Sequence, residues 1–271
     1  MGDKMPKLNS DRIQKLLANA GYGSRREIEG WIEKGRIKLN GVVASLGDRA
    51  TPQDKILIDN KPVKFSNAAD IQTRVIAYHK PVGEISTRKD SEGRKTVFEK
   101  LPSIKQQRWI SIGRLDINTS GLLLFTNNGM LANKLMHPSS EIEREYSVRI
   151  MGKPTDEQLE SLKSGIKLDD GTAAFKNIVA KGGEGVNRWF NVVINEGRYR
   201  EVRRLWKEAG FTVSRLIRVR FGPVLLPRDK RTGTVWDISQ RDFKLLHNLV
   251  GIDVEPTPRP VTNRRGGRTK K

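Results

Sequence analysis

The chain has 271 residues, of which 51 are lysine or arginine and 31 are aspartate or glutamate, so its formal net charge is +20. A protein this basic is expected to bind nucleic acid rather than acidic small molecules. The absence of cysteine excludes thiol nucleophiles, disulfide bonds and thiolate metal sites.

Neither a membrane segment nor a bound metal is predicted. A transmembrane helix would need about 20 consecutive apolar residues, and the sequence has no such run. The N-terminal residues 1–9 are polar and lack the apolar core of a signal peptide. His79, His137 and His247 are scattered without the spacing of metal ligands. We therefore expect a cytoplasmic protein of about two domains, with no membrane contact and no metal.

The first part of the chain predicts a small module of two helices and a hairpin. Ser10 and Asp11 are suitable caps for the first helix. Ser24 and Glu27 have the spacing of a capping box, which predicts the start of a second helix. Asn40-Gly41 separates two short apolar runs, and this pattern is a strong signal for a hairpin.

Basic residues accompany both motifs, within Ser24–Arg26 and within Gly35–Gly41. These segments resemble the RNA-binding module named after ribosomal protein S4, which implies such a domain over residues 9–65. Residues 66–73 are polar and lack periodicity, so we interpret them as a linker. The resemblance implies that five basic side chains contact phosphates: Arg25, Arg26, Lys34, Arg36 and Lys38. The alternative is a basic face that meets only solvent.

Residues 74–254 predict a larger domain of strands interrupted by single helices. Apolar runs or alternation predict strands at Val75–Tyr78, Leu122–Phe125, Tyr146–Ile150, Trp189–Ile194, Phe211–Val219 and Val224–Leu226. Capping residues and helical spacing predict helices at Gly129–Met136, between Thr155 and Gly165, and at Arg198–Ala209. This pattern favours an α+β fold whose mixed sheet is mainly antiparallel and flanked by helices.

The most informative segment is Gly113–Gly121, which holds Asp116 and runs directly into Leu122–Phe125. The apolar run predicts a buried strand, so the carboxylate lies at the mouth of a core strand. A carboxylate in this position is held rigidly and can still face a cleft. The alternative is a turn or capping role, which is common for aspartate just before a turn.

Charged and aromatic residues also combine in three other segments: Lys80–Gly83, Glu143–Tyr146 and Gly197–Arg204. The last segment leads into a predicted helix whose apolar face has Arg203 beside it. The alternatives are ordinary strand packing for Tyr146, a solvated helix surface for Arg203 and a sheet-edge position for Lys80.

In this order, the segments resemble the small-subunit branch of the RNA pseudouridine synthases. The most specific segment is Gly-Arg-Leu-Asp-x-x-Thr-Ser-Gly-Leu-Leu-Leu from Gly113, and the likeness extends from about Asp11 to Val254. The resemblance implies isomerisation of uridine to pseudouridine in ribosomal RNA without a cofactor. Gly83–Arg88 and Asp90–Arg94 favour large-subunit ribosomal RNA, with small-subunit ribosomal RNA as the alternative.

The same resemblance implies roles for individual side chains. Asp116 is the essential carboxylate, which attacks the sugar or removes one of its protons. Tyr146 stacks on the flipped target base and is available for proton transfer, and Arg203 pairs with Asp116. Five further basic residues are expected to contact RNA: Lys80, Arg114, Arg198, Arg200 and Arg204.

Residues 255–271 are rich in proline and basic residues and predict a disordered tail that anchors the RNA backbone. The expected partner is ribosomal RNA or a pre-ribosomal particle, bound by a monomer. Two other functions stay open. One is a non-catalytic S4-type ribosome-assembly factor. The other is an RNA glycosidase or nuclease, although a glycosidase usually needs two carboxylates and no second one is evident.

Overall fold

The computed structural model describes residues 10–65, 72–104 and 107–253. Most of the predicted linker at 66–73 and the whole predicted tail at 255–271 lie outside these ranges. Within them, no helix is both long and apolar enough to cross a membrane. The described residues also contain no group of three or more histidine, aspartate or glutamate side chains that could hold a metal ion.

The N-terminal module packs two helices against a small sheet. Its elements are β1 (Asp11–Arg12), α1 (Ile13–Asn19), α2 (Arg25–Glu33), β2 (Ile37–Leu39), β3 (Val42–Val43), β4 (Arg49–Ala50), β5 (Ile56–Ile58) and β6 (Lys61–Pro62). Strands in the order β3-β2-β5-β6 form a four-stranded sheet, and β1 pairs with β4. The core of the module contains Ile13, Leu17, Ile28, Ile32 and Ile56.

The predicted second helix and the predicted hairpin of this module are confirmed. The hydroxyl of Ser24 accepts a hydrogen bond from the N–H of Glu27 at 3.2 Å. In return, the carboxylate of Glu27 accepts one from the N–H of Ser24 at 2.9 Å. Asn40 and Gly41 have φ angles of 53° and 91°, and a two-residue hairpin turn of type I′ needs positive values at both positions.

The predicted cap of the first helix is wrong. Neither Ser10 nor Asp11 caps α1, because Asp11–Arg12 is extended and pairs with Arg49–Ala50. The N–H of Ile13 donates to the carbonyl oxygen of Asp48 at 2.9 Å. Backbone pairing with a distant segment therefore replaces the local side-chain cap.

The larger domain is built on a nine-stranded sheet. Its strands are β7 (Val75–Lys80), β8 (Ile110–Ile112), β9 (Ser120–Thr126), β10 (Arg144–Met151), β13 (Asn177–Ala180), β14 (Asn187–Ile194), β15 (Thr212–Phe221), β16 (Val224–Leu225) and β17 (Val235–Asp237). Two further strands, β11 (Ile166–Leu168) and β12 (Gly171–Ala173), form a separate hairpin. The main path runs β13-β14-β10-β15-β9-β7-β17, with β8 on β9 and β16 on β15. The pair β9–β15 is parallel, and the other pairs of this sheet are antiparallel.

Helices cover both faces of the large sheet. They are α3 (Gly129–Met136), α4 (Asp156–Ser164), α5 (Glu201–Glu208) and α6 (Gln240–Leu249). Residues Leu122–Phe125 of β9 alternate between two buried clusters. Leu205 and Trp206 of α5 join one cluster, and Leu131 of α3 and Leu246 of α6 join the other. The predicted α+β fold with a mainly antiparallel mixed sheet and flanking helices is confirmed.

The helix α5 begins at Glu201 rather than at the predicted Arg198. Arg200 has a φ angle of 49°, which lies outside the right-handed helical region, so it precedes the helix as its N-cap. The N–H of Arg198 donates to the carboxylate of Glu201 at 3.1 Å. This turn places Glu201 in the core and starts the helix that carries Arg203.

Candidate active site

Residues from several motifs lie in one row across the large sheet. Lys80 on β7 lies opposite Gly121 on β9. Gly121 also lies opposite Arg218 on β15, which in turn lies opposite Tyr146 on β10. Neighbouring strands are about 4.8 Å apart, so the backbones of Tyr146 and Gly121 are separated by roughly 10 Å. The loop with Asp116 leads directly into β9, so the pairing brings these motifs into one region.

The parallel pair β9–β15 depends on a glycine at position 121. A Cβ atom there would lie 2.3 Å from the carbonyl oxygen of Arg218 and 2.5 Å from its backbone nitrogen. Gly121 also has a φ of 110°, which side-chain-bearing residues rarely adopt. A side chain would force the two strands apart, so the glycine that ends the Asp116 motif is required by packing.

Lys80 lies beneath the Asp116 loop with no exposure to solvent. Its ammonium group donates to the carbonyl oxygens of Pro81 at 2.9 Å, Asp116 at 3.1 Å and Thr119 at 2.8 Å. Burial lowers the pKa of Lys80 to about 8. The negative charges of Glu84 and Asp116 act in the opposite direction but are the smaller effect. The predicted contact of Lys80 with RNA is wrong, because the ammonium hydrogens are used inside the protein.

The loop around Asp116 is fixed on both sides. The N–H of Gly83 donates to the carbonyl oxygen of Ile117 at 2.8 Å. The hydroxyl of Ser86 donates to the carbonyl oxygen of Leu115 at 2.8 Å. Asp116 is half-buried, and its carboxylate accepts no hydrogen bond from any residue that the structure describes. The backbone is therefore held in place while the carboxylate is left for a ligand.

Arg203 binds the backbone of the Asp116 loop rather than the carboxylate. Its guanidinium donates to the carbonyl oxygens of Asn118 at 2.9 Å and Val213 at 3.0 Å. Within the described residues the predicted salt bridge to Asp116 is not formed, and the two terminal nitrogens bind these backbone carbonyls instead. Burial and then the charge of Arg200 lower the pKa of Arg203, while the charge of Asp116 raises it. The charges of Arg203 and Asp116 therefore attract each other without a direct hydrogen bond.

Tyr146 is 8% exposed and belongs to the buried cluster that α5 covers. It lies beside a β-bulge, because Glu145 pairs with Arg220 and Tyr146 pairs with Arg218, which leaves Val219 without a partner on β10. Bulges bend a strand and change the direction of nearby side chains. The hydroxyl of Tyr146 forms no hydrogen bond with a described residue. The hydroxyl is thus available to a ligand.

Two of the predicted RNA contacts bind groups inside the protein. Arg204 forms two hydrogen bonds of 2.8 Å with the carboxylate of Asp170. Arg198 donates to the carboxylate of Glu196 at 2.8 Å and to the carbonyl oxygen of Thr172 at 3.0 Å. Protein acceptors therefore bind part of both guanidinium groups in the free protein, and contact of Arg198 and Arg204 with RNA stays a prediction.

The other predicted RNA contacts include both paired and unpaired side chains. Arg36 forms a two-point salt bridge with Asp59, and Lys38 donates to the side-chain oxygen of Asn60 at 3.1 Å. The remaining side chains make no hydrogen bond or ion pair with a described residue: Arg25, Arg26, Lys34, Arg114 and Arg200. All of these are exposed except Arg200, which is half-exposed.

Arg218 is a buried charge near the site that the sequence reasoning missed. It is 2% exposed, and its Nε donates to the carbonyl oxygen of Leu122 at 2.8 Å. Its Nη2 atom is buried and has no partner among the described residues. The signal was present, because Arg218 follows Leu216 by two positions in a strand and therefore shares its inward face.

Glu201 is a second buried charge that was not predicted. It is 2% exposed, and its Oε1 atom is buried without a partner in the described structure. Burial, followed by the charge of Glu196, raises the pKa of Glu201 to about 7. A glutamate at the first position of an arginine-rich helix is typical of a surface residue, so no sequence pattern indicated this burial.

Replacing Glu201 by glutamine is expected to stabilise the protein more at pH 8 than at pH 5. The carboxyl ionises near 4.5 in the unfolded chain and near 7 when folded. The free energy of unfolding therefore falls as pH rises between these values. Above pH 7 the folded protein bears the full cost of burying the ionised carboxylate. The gain at pH 8 is about 1–3 kcal/mol. Thermal melts between pH 5 and 8.5 test this, with exposed Glu208→Gln as control. If the melting temperature of E201Q depended on pH in the same way as that of the wild type, the prediction would be contradicted.

Comparison with known proteins decides the family. A model described as RNA pseudouridylate synthase matches residues 74–208, and an S4 domain model matches residues 11–56. Ribosomal large subunit pseudouridine synthase B of Escherichia coli strain K12 is 51% identical to this chain over 96% of this chain and 90% of that protein. The chain belongs to the RNA pseudouridylate synthase family. The protein of the same name from Pseudomonas aeruginosa is 50% identical over 94% of this synthase and 66% of its own length.

A solved structure shows the same fold at lower similarity. Its description is "Crystal structure of pseudouridylate synthase", and it matches this synthase with a TM-score of 0.60 and 22% identity. The match covers 87% of this synthase and 99% of that chain. The family resemblance predicted from the motifs is confirmed, and Asp116, Tyr146 and Arg203 all lie within the matched range.

Proposed function

We propose that this synthase converts uridine to pseudouridine in large-subunit ribosomal RNA in the cytoplasm, with Asp116 as the essential carboxylate. The observation that carries the proposal is the Asp116 loop. Its backbone is bound by buried Lys80, while the carboxylate accepts no hydrogen bond from the described residues. The choice of large-subunit RNA is supported by relatives named for that substrate at 50–51% identity.

The proposed reaction breaks the bond between uracil N1 and ribose C1′ and forms a bond between uracil C5 and the same carbon. The uracil turns between these steps, C5 loses its proton, and N1 gains one. The carboxylate of Asp116 either attacks C1′ or removes a proton from the ribose, and both roles require its ionised form. The reaction is an isomerisation, so no oxidant or second substrate is needed.

Tyr146 is proposed to receive the target base after it leaves its stack. A base inside a duplex cannot reach a carboxylate on the protein, so it must be flipped out. An aromatic ring replaces the lost stacking, which is worth roughly 1–3 kcal/mol per base. The position beside the bulge in β15 and the unbonded hydroxyl both support this role, since the hydroxyl is free to transfer a proton.

Arg203 is proposed to position the catalytic loop. It holds the carbonyl oxygen of Asn118, two residues after Asp116, and its charge acts on that carboxylate. Arg114 is exposed and lies two residues before Asp116, so it is suited to fill the place that the flipped base leaves. The unpaired residues Arg25, Arg26 and Lys34 extend the basic surface on the S4 domain.

The substrate is tested by mapping pseudouridine in ribosomal RNA from cells that lack the protein. We expect one or more sites in large-subunit RNA to revert to uridine and to be restored by the wild-type gene. Carbodiimide modification followed by reverse transcription detects these sites. A loss confined to small-subunit RNA would move the target to that subunit. An unchanged pattern in both subunits would reject the proposed function and favour a non-catalytic assembly factor.

Substitutions of Tyr146 separate stacking from proton transfer. Tyr146→Phe is expected to keep RNA affinity and to lose activity only to the extent that the hydroxyl transfers a proton, by up to about 10²-fold. Tyr146→Leu removes the ring as well and should lose more. Single-turnover assays at saturating RNA measure both effects. Equal rates for the wild type, Y146F and Y146L would exclude Tyr146 from the site.

A further inference from the structure

A cavity of about 230 Å³ lies beside the Asp116 loop. Its lining includes Ser86, Arg88, Phe98, Arg108 and Ser111. Ser86 connects it to the candidate active site, because its hydroxyl is hydrogen-bonded to Leu115, the residue before Asp116. A ligand in this cavity would therefore lie close to the catalytic loop without touching the carboxylate.

Positive charges converge on this cavity without a matching anion. Arg108 makes no hydrogen bond or ion pair with any described residue, and its Nε atom is buried without a partner. The guanidinium of Arg88 lies 4.4 Å from the ring centre of Phe98 and donates to the carbonyl oxygen of Trp109. No carboxylate of the described residues forms an ion pair with either arginine, although the charge of Glu27 acts on both.

The S4 domain adds a third arginine to the same region, because Glu27, two residues after Arg25, forms an ion pair with Lys89, the residue after Arg88. Burial, then the charges of Arg88 and Arg25, lower the pKa of Arg108, and Glu27 acts in the opposite direction. Glu27 is already paired with Lys89 at 2.5 Å. The single carboxylate that acts on Arg108 is thus shared with a lysine, and three arginines from two domains are left without an acidic partner in the described chain.

We propose that this cavity binds one backbone phosphate of the substrate RNA, held by Arg88 and Arg108 of the synthase domain and by Arg25 of the S4 domain. A phosphate diester is the ligand that guanidinium groups match best, because its oxygens accept paired hydrogen bonds. It would also relieve the repulsion among the three arginines. The proposal rests on the proposed function, because it takes the RNA that the synthase modifies as the ligand.

The site would determine where the RNA lies relative to Asp116. Phosphate contacts fix the register and orientation of a nucleic acid without reading its sequence. A phosphate held next to Ser86 and at the same time by the S4 domain fixes the strand at a set distance from the catalytic loop. We therefore expect the contact to contribute to RNA affinity and positioning for any target sequence.

The test measures RNA affinity by fluorescence anisotropy over a range of salt concentrations. The probe is a large-subunit ribosomal RNA fragment that contains the target uridine. The variant Arg88→Gln/Arg108→Gln is expected to bind about tenfold more weakly, with the slope of log K against log salt reduced in magnitude by about one, because one phosphate contact is lost. Arg241→Gln, an exposed arginine on α6, serves as the matched control and should bind like the wild type. Circular dichroism melts verify that each variant is folded.

A methylphosphonate scan gives a second readout, in which the RNA is altered as well as the protein. Neutralising one phosphate at a time should identify a position at which the wild type loses affinity. In the folded double variant the same replacement should cost much less, because only Arg25 of the three arginines remains. The proposal is overturned if the two proteins respond alike at every phosphate. Binding of inorganic phosphate is measured separately by NMR. The proposal is also overturned if phosphate binding requires Arg108 while RNA affinity does not depend on Arg108.

Pseudouridine formation by the wild type is measured in parallel, so that the two proposals fail separately. If the wild type makes pseudouridine and the double variant binds RNA normally, the cavity assignment is rejected and the proposed function stands. If RNA binding depends on Arg108 and the wild type makes no pseudouridine, the proposed function is rejected and the phosphate site stands.

Discussion

Asparagine in place of Asp116 is expected to abolish pseudouridine formation, with a loss of at least roughly 10³-fold, while leaving the fold and RNA affinity unchanged. Asparagine has nearly the same shape as aspartate but can neither attack C1′ nor accept a proton as a carboxylate does. The loop should stay in place, because Lys80 and Arg203 bind its backbone carbonyls and not the Asp116 side chain. Nucleoside chromatography of digested RNA measures the product.

The control for this prediction is the behaviour of the same variant in binding and melting experiments. An Asp116→Asn protein that melts like the wild type and binds RNA with the same affinity isolates the chemical step. A variant that binds RNA much more weakly would instead assign Asp116 to RNA recognition. Substantial product from a folded, RNA-bound variant would remove the carboxylate from the mechanism.

Methionine in place of Lys80 is expected to lower the free energy of unfolding by about 3–5 kcal/mol and the single-turnover rate by roughly 10²-fold. Methionine keeps most of the volume but leaves the carbonyl oxygens of Pro81, Asp116 and Thr119 without the ammonium donor. Buried acceptors without donors are costly, and a loop freed from this contact would no longer hold Asp116 at a fixed position.

Denaturant unfolding and single-turnover rates at saturating RNA test the Lys80 prediction. Lys244→Met, on the exposed surface of α6, is the matched control and should resemble the wild type in both. RNA affinity of the folded K80M protein is expected to change little, because Lys80 has no exposed surface. If K80M lost RNA affinity and kept its stability, Lys80 would be an RNA contact after all.

Sequence patterns predicted the elements whose signals are local. The hydroxyl of Ser24 accepts the hydrogen bond that its predicted capping box requires, and the helices predicted at Gly129–Met136 and between Thr155 and Gly165 are both formed. The apolar run Leu122–Phe125 lies in a buried strand. These features depend on residues within a few positions of each other, so the order of residues contains the necessary information. The short strands β8 and β17, with three residues each, are too brief to show periodicity.

The contacts of the candidate site depend on residues far apart in sequence. Lys80 and Thr119 are 39 positions apart, and Arg203 and Asn118 are 85 apart. The sequence indicated that these segments carry chemistry, but it gave no sign that the lysine is buried. Nor did it show that the arginine binds a backbone carbonyl instead of the Asp116 carboxylate. Both results follow from the register of β7, β9 and β15, which only the folded sheet defines.

The account depends most on the carboxylate of Asp116 acting on an extruded uridine. The direct measurement is tritium release from RNA labelled at uracil C5, under single-turnover conditions with saturating enzyme. The wild type should release about one equivalent per target uridine, because C5 loses its hydrogen when it joins the ribose. Folded, RNA-bound D116N should release none above background. Release by D116N at a rate near that of the wild type would contradict the central claim.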